Sequence, residues 1–276
     1  MRYALIVLAL ISAGVAVQVI VQASLNAVDR GQPVRWSRSG LSLLLRDWGL
    51  KIVAGATMPL GVFPRGPSQR AMADRMRPPV ILIPGYGMNR SCFFFLQFYL
   101  ERRGFPWLWS VNNRPRSTSI TVYAERLAEA VQRLKRESGA ETVDLVGHSA
   151  GGVIAAWYLK NLGGAAHVRR LVTIGTPWLG TRVAVFGQRA HAADLMPDSP
   201  VVHQIQHPPV PTYALWTSRD GVLFPYTSGY AEGMEAIEIH GETHLSLLYS
   251  ASVFRKVRDL LIMKTPPPVG PVGEDA

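Results

Sequence analysis

The most constraining feature is a junction near the middle of the chain. A β-branched and apolar run, Thr142-Val143-Asp144-Leu145-Val146, passes through Gly147-His148-Ser149-Ala150-Gly151 into a stretch with helical spacing, Gly151–Leu162. The five-residue G-x-S-x-G run needs this strand-to-helix context. A sharp turn holds the serine in strained backbone geometry, and side chains at the flanking glycines would collide. Such a turn presents a hydroxyl above the carboxyl edge of a sheet, beside a helix N-terminus. Ser149 is therefore the candidate nucleophile. His148 adjoins it but should point away, and receives no role as a base.

The same alternation extends over most of the chain. Short apolar runs predict strands at 80–83, 107–111, 142–146, 170–174, 212–216 and 236–239. Helical spacing occurs at 93–102, 120–135, 151–162 and 253–262. About six short strands interleaved with helices predict an α/β fold with a mostly parallel sheet covered on both faces. With 48% hydrophobic residues the chain can build a sizeable core, which excludes general disorder. The tail at 265–276 is Pro-rich and acidic at its end, and is expected to be disordered. The single cysteine, Cys92, excludes an internal disulfide and a multi-cysteine metal site. No metal-ligand spacing links the seven histidines, and neither a metal nor an organic cofactor is expected.

Charge is concentrated at one end. The chain carries a formal net charge of +10, and residues 1–79 hold nine Arg and one Lys against three Asp. Tyr3–Ala23 contains no charged residue and is long enough to span a bilayer. It reads as a membrane anchor over residues 1–24, or as a signal peptide cleaved after Val21-Gln22-Ala23. Residues 25–78 form a basic juxtamembrane segment and linker. Within it Leu43, Leu44, Trp48, Leu50 and Val53 share one side of a helix. That helix either lies in the membrane interface or packs on the following domain. A basic patch beside an apolar segment suits anionic lipid headgroups. No basic-aromatic interleaving points to nucleic acid. Membrane anchoring, as in a bacterial inner membrane, is the expected location; secretion or a periplasmic site after cleavage is the alternative.

From about residue 79 to about residue 264 the chain resembles the α/β-hydrolase superfamily, in its bacterial lipase and esterase branch. The elbow around Ser149 carries the resemblance together with four other pieces. These are Pro79–Gly87 (PVILIPGYG), Leu171–Pro177 (LVTIGTP) with Gly180-Thr181, Ser218–Val222 (SRDGV) and Gly241–Leu245 (GETHL). The resemblance implies a Ser-Asp-His order along the chain. Ser149 would attack an acyl carbonyl, His244 would act as general base, and Asp220 would orient the imidazole. His240 is the competing base. The oxyanion hole would use backbone N–H groups of Ala150 and, by match to the family loop, Tyr86. Pro84 and Trp178 depart from the histidines often found at their places in the family. Trp178 either lines an acyl pocket or packs the core. Val183, Val185, Phe186, Leu195 and Met196 either wall an acyl site or fill ordinary core.

The expected function is a membrane-associated serine hydrolase acting on carboxylic esters of lipids or acyl chains. Thioester cleavage or acyl transfer on the same triad is the alternative, as is a catalytically silent, membrane-tethered binding module.

Overall fold

The computed structural model describes residues 38–63, 66, 68–69, 77–113, 118–187 and 190–264, with single positions at 13, 17, 20, 21 and 24. The expected membrane segment and the Pro-rich tail lie essentially outside the described residues. Among the described residues no helix is long and apolar enough to cross a membrane.

Seven strands form one sheet: β1 (Ser68–Gln69), β2 (Val80–Ile83), β3 (Trp107–Ser110), β4 (Val143–His148), β5 (Val168–Ile174), β6 (Thr212–Trp216) and β7 (Glu235–Glu238). Their order is β1-β3-β2-β4-β5-β6-β7. All neighbours are parallel except β1, which pairs antiparallel with β3 at the edge. The six parallel strands are those that the apolar runs predict. β1 is a correction: it falls within the expected linker, and its polar Ser68-Gln69 is too short and too polar to carry a strand pattern.

The helices are α1 (Arg38–Thr57), α2 (Phe94–Glu101), α3 (Ile120–Ser138), α4 (Ala150–Asn161), the short α5 (Ala190–Ala193) and α6 (Pro200–Gln204), and α7 (Ala251–Ile262). Side chains alternate across the sheet and feed two separate cores. Ile81, Ile83 and Leu145 face α3 and α4, joined by Trp178 and Ile205. Val80, Leu82, Val146 and Val172 face α2 and α7. Because both faces of β2 and β4 are buried, these strands read as continuous apolar runs rather than alternating ones.

One buried polar residue interrupts that pattern. Asp144, in the middle of β4, is almost inaccessible. Arg169 Nε donates to it at 2.9 Å, and buried Arg170 lies within ion-pair distance. Both guanidinium groups also donate to α7: Arg169 to Leu261 O, and Arg170 to Leu260 O and Met263 O. The last carbonyls of a helix lack intrahelical donors, and these two cations supply them. The closing helix is thereby fastened to the central strands.

α1 packs on the domain that follows, with Arg46 and Asp47 hydrogen-bonded to its residues 241–246. Trp48 and Leu50 are half-buried, whereas Leu45, Ile52 and Val53 are exposed. The 3-10 turn Met58–Gly61 that follows is tied down by asparagines of the domain: Asn89 Nδ2 donates to Met58 O and Asn112 Nδ2 to Gly61 O.

Candidate active site

In a parallel sheet the carboxyl ends of the strands form the natural crevice. Ser149 sits there, directly between β4 and α4, with φ 53° and ψ −126°. This is a conformation that a residue with a side chain rarely adopts, so the surroundings must hold it. They do so through the backbone. Ser149 N donates to Ile174 O at 2.9 Å, and Thr176 Oγ1 donates to Ser149 O at 3.0 Å. The flanking glycines are required by contact. A Cβ on Gly151 would lie 2.1 Å from Ile83 O, and one on Gly147 would lie 2.6 Å from Gly152 Cα.

Asp220 follows β6 and is nearly fully buried. Its Oδ1 accepts from the N–H groups of Val222 and Leu223, each at 2.8 Å, which fixes the carboxylate plane. Its Oδ2 accepts from His244 Nδ1 at 2.7 Å. Thr217 Oγ1 donates to Glu242 O at 2.8 Å and so ties the aspartate loop to the histidine loop. A nitrogen at Nδ1 that donates to a carboxylate leaves Nε2 as the acceptor, the tautomer a general base needs. His240 is on the surface beside Glu238 and far more exposed than His244.

Serine and imidazole meet at the same edge. Gly175, with φ +56°, follows β5; a Cβ there would sit 3.2 Å from His244 Nδ1 and 3.4 Å from Asp220 Oδ2. Gly85, after β2, comes equally close to Ser149 and to His148. Among the described residues no hydrogen bond joins the Ser149 hydroxyl to the His244 ring. Such bonds commonly tighten only in the complex with substrate.

His148 is the surprise of the site. Its ring is buried 5.0 Å from the His244 ring, and neither nitrogen has a hydrogen-bond partner. Burial holds its imidazole well below the usual value, and the neighbouring His244 adds to that effect. It is therefore a neutral wall of the site.

Ala150 opens α4, where a backbone N–H has no carbonyl one turn earlier to bond. Tyr86 lies on the loop after β2, in a cleft that also includes Ala150, Asn113 and Ile154. Asn113 Nδ2 donates to Pro84 O at 2.8 Å and pins this loop. The Tyr86 ring packs on His191 at 4.4 Å between centroids. Asn112 and Asn113 are site residues that the motifs miss. The signal for them is a polar pair ending a strand at the carboxyl edge of the sheet.

Trp178 lies fully buried, its Nε1 donating to Thr173 Oγ1 at 3.2 Å, so it packs the core and does not line a pocket. Leu195 is buried too, whereas Val185 and Phe186 are exposed, the latter by 75%. The five residues of the expected apolar wall are thus split between core and surface. No group of His, Cys, Asp or Glu among the described residues could hold a metal ion.

A sequence profile for the alpha/beta hydrolase fold matches residues 78–195. Over these residues, fewer than half of the chain, the sequence is similar to the α/β-hydrolase family. Among solved structures it is similar to lipase B of Aspergillus fumigatus, with a TM-score of 0.63 and 17% identity over 73% of this chain. It spans only 56% of that protein's length. The mature lipase BlEst2 of Bacillus licheniformis matches with a TM-score of 0.58 and 17% identity, over 74% of this chain and 97% of that one. The carboxylesterase CesB of Bacillus subtilis matches at 0.50 and 15%, over 82% and 99%. At these identities the likeness is one of fold. The profile begins at residue 78, so α1 lies outside it.

Proposed function

We propose that this chain is an α/β hydrolase, and within that family a membrane-associated serine hydrolase that cleaves carboxylic esters of lipids or acyl chains. The observation that carries the reading is the strained Ser149 at the same sheet edge as the buried Asp220–His244 pair. In the reaction Ser149 Oγ attacks the acyl carbonyl while His244 Nε2 takes the hydroxyl proton. Asp220 keeps the ring oriented and favours its cationic form. The oxyanion of the tetrahedral intermediate accepts hydrogen bonds from the N–H groups of Ala150 and Tyr86, typically worth about 3 kcal/mol each. His244 returns the proton to the leaving alcohol. A water molecule, activated by the same histidine, then releases the acid from Ser149.

Apolar side chains near the site support an acyl or lipid substrate. Phe63 and Leu60 are exposed, and their carbonyls are held by Arg90, next to the Tyr86 loop. Exposed Val185 and Phe186 precede Gly187, where a side chain would meet the Tyr86 hydroxyl. The uncharged Tyr3–Ala23 stretch and the basic character of residues 1–79 support anchoring at a membrane rich in anionic lipid, as in a bacterial inner membrane.

The test is fluorophosphonate labelling of detergent-extracted protein, wild type beside Ser149→Ala and His244→Ala, followed by a chain-length series of acyl esters. Labelling should vanish in the serine variant and fall by orders of magnitude in the histidine variant. A folded wild type that does not label, or a Ser149→Ala protein that cleaves esters at the wild-type rate, would sink the reading.

A further inference from the structure

His244 projects from a loop, Gly241–Leu245, which begins at a glycine with φ +75°. Asp220 fixes the ring at one end, but the backbone that carries the ring needs its own support. That support comes from outside the hydrolase profile, from two consecutive residues of α1. Arg46 Nη2 donates to Gly241 O at 2.9 Å and to Ser246 Oγ at 3.0 Å, and pairs with Glu242 Oε2 at 3.1 Å. Thr243 Oγ1 donates to Asp47 Oδ1. Ser246 Oγ closes the ring of contacts by donating to Glu242 Oε2 and accepting from Thr243 N at 2.7 Å.

We infer that α1 is a working part of the catalytic apparatus: Asp47, through Thr243, and Arg46, through Glu242 and Ser246, are positioning residues for His244. This rests on the reading of His244 as the general base.

The physical case is one of rigidity and charge. A 20-residue helix anchored at both Arg46–Asp47 and the Met58–Gly61 turn is a stiffer platform than the loop it holds. The charges facing the imidazole are also few. Asp220 accepts from Nδ1, His148 is a neutral neighbour, and Asp47 lies behind Thr243 with Arg46, Lys51 and Glu242 around it. Burial raises the Asp47 carboxyl, opposed by the Thr243 hydroxyl, Lys51, Arg46 and His244. Burial likewise lowers Lys51, opposed by Asp47.

The experiment uses the full chain in detergent and measures the rate of fluorophosphonate labelling, and kcat and KM for a short acyl ester, across pH. The variants are Asp47→Ala, Asp47→Asn, Thr243→Val and the double variant Asp47→Ala/Thr243→Val, each checked for folding by circular dichroism. Asp47→Ala should lower the labelling rate and kcat about 3- to 30-fold with KM little changed, the range expected for a lost neighbour in one network. Asp47→Asn keeps an acceptor for Thr243 and should lose less rate. The double variant should be no worse than the poorer single one. A folded Asp47→Ala protein with the wild-type labelling rate and kcat would overturn the inference, as would strictly additive losses. Should Asp47→Ala fail to fold, Asp47→Asn and Thr243→Val decide the matter by the same criteria. Labelling of His244→Ala at the wild-type rate would instead remove the base assignment on which the inference stands, so the two failures are distinguishable.

Discussion

At the scale of single residues the site is held by close approach and by burial. Gly175 shows the first. Its φ of +56° strains any side chain, and the 3.2 Å gap to His244 Nδ1 admits a methyl group only if the ring gives way. Gly175→Ala should cost about 1–3 kcal/mol of stability and push the histidine off Asp220. Its kcat should fall by at least about tenfold, since small misplacements of a catalytic group are costly, and steady-state kinetics beside a urea melt will check both effects. His148 shows the second. In the unfolded chain its ring protonates near 6.5, whereas burial keeps it neutral in the fold to well below that value. The unfolded state therefore binds more protons as pH falls below about 6.5, and the native state loses stability there at up to about 1.4 kcal/mol per pH unit. His148→Leu should flatten this acid-side loss in urea melts at pH 7 and pH 5. At neutral pH it should leave stability unchanged or raised, because the two unpartnered ring nitrogens are gone. An equal acid-side loss in both proteins would show that other groups cause it.

At the scale of elements the fastening of α7 is the feature most open to test. Asp144 is a charge within an apolar strand, tolerated because Arg169 and Arg170 lie against it and reach on to the helix end. Burial raises the Asp144 carboxyl, while the two guanidinium groups oppose the shift. Asp144→Ala would leave buried Arg170 without its counter-charge. The expected loss is about 3–5 kcal/mol, seen as a fall in the urea midpoint of the whole chain. Since α7 directly follows the His244 loop and the 3-10 turn Ser246–Tyr249, activity should fall with it.

For the whole molecule, charge and exposed apolar groups act together. The basic N-terminal third and the exposed side chains of Leu45, Ile52, Leu60 and Phe63 should favour an anionic bilayer. Full-length protein should float with vesicles containing anionic lipid. Binding should weaken in about 0.5 M salt, where surface charges are screened within a few ångströms. Equal binding to neutral vesicles at both salt concentrations would leave only the apolar contribution.

Much of this architecture was legible from residues alone, for a physical reason. Strands β2, β4 and β6 are buried on both faces, so their composition is largely apolar and their limits stand out. Ser149 was legible because its turn demands glycines at fixed offsets, and Asp220 because an aspartate beside Gly221 follows a strand at the carboxyl edge. Local chemistry of this kind is written within a few residues. The buried neutral His148, the Trp178 in the core and the grip of Arg46 and Asp47 on the histidine loop were decided only by the tertiary structure. Each depends on residues distant in the chain, up to 200 positions apart, or on which side of a strand turns inward. A polar side chain reads as a solvated one until the fold supplies its partner. In α1 those partners are the residues at 241–246, which Arg46 and Asp47 reach only in the folded chain.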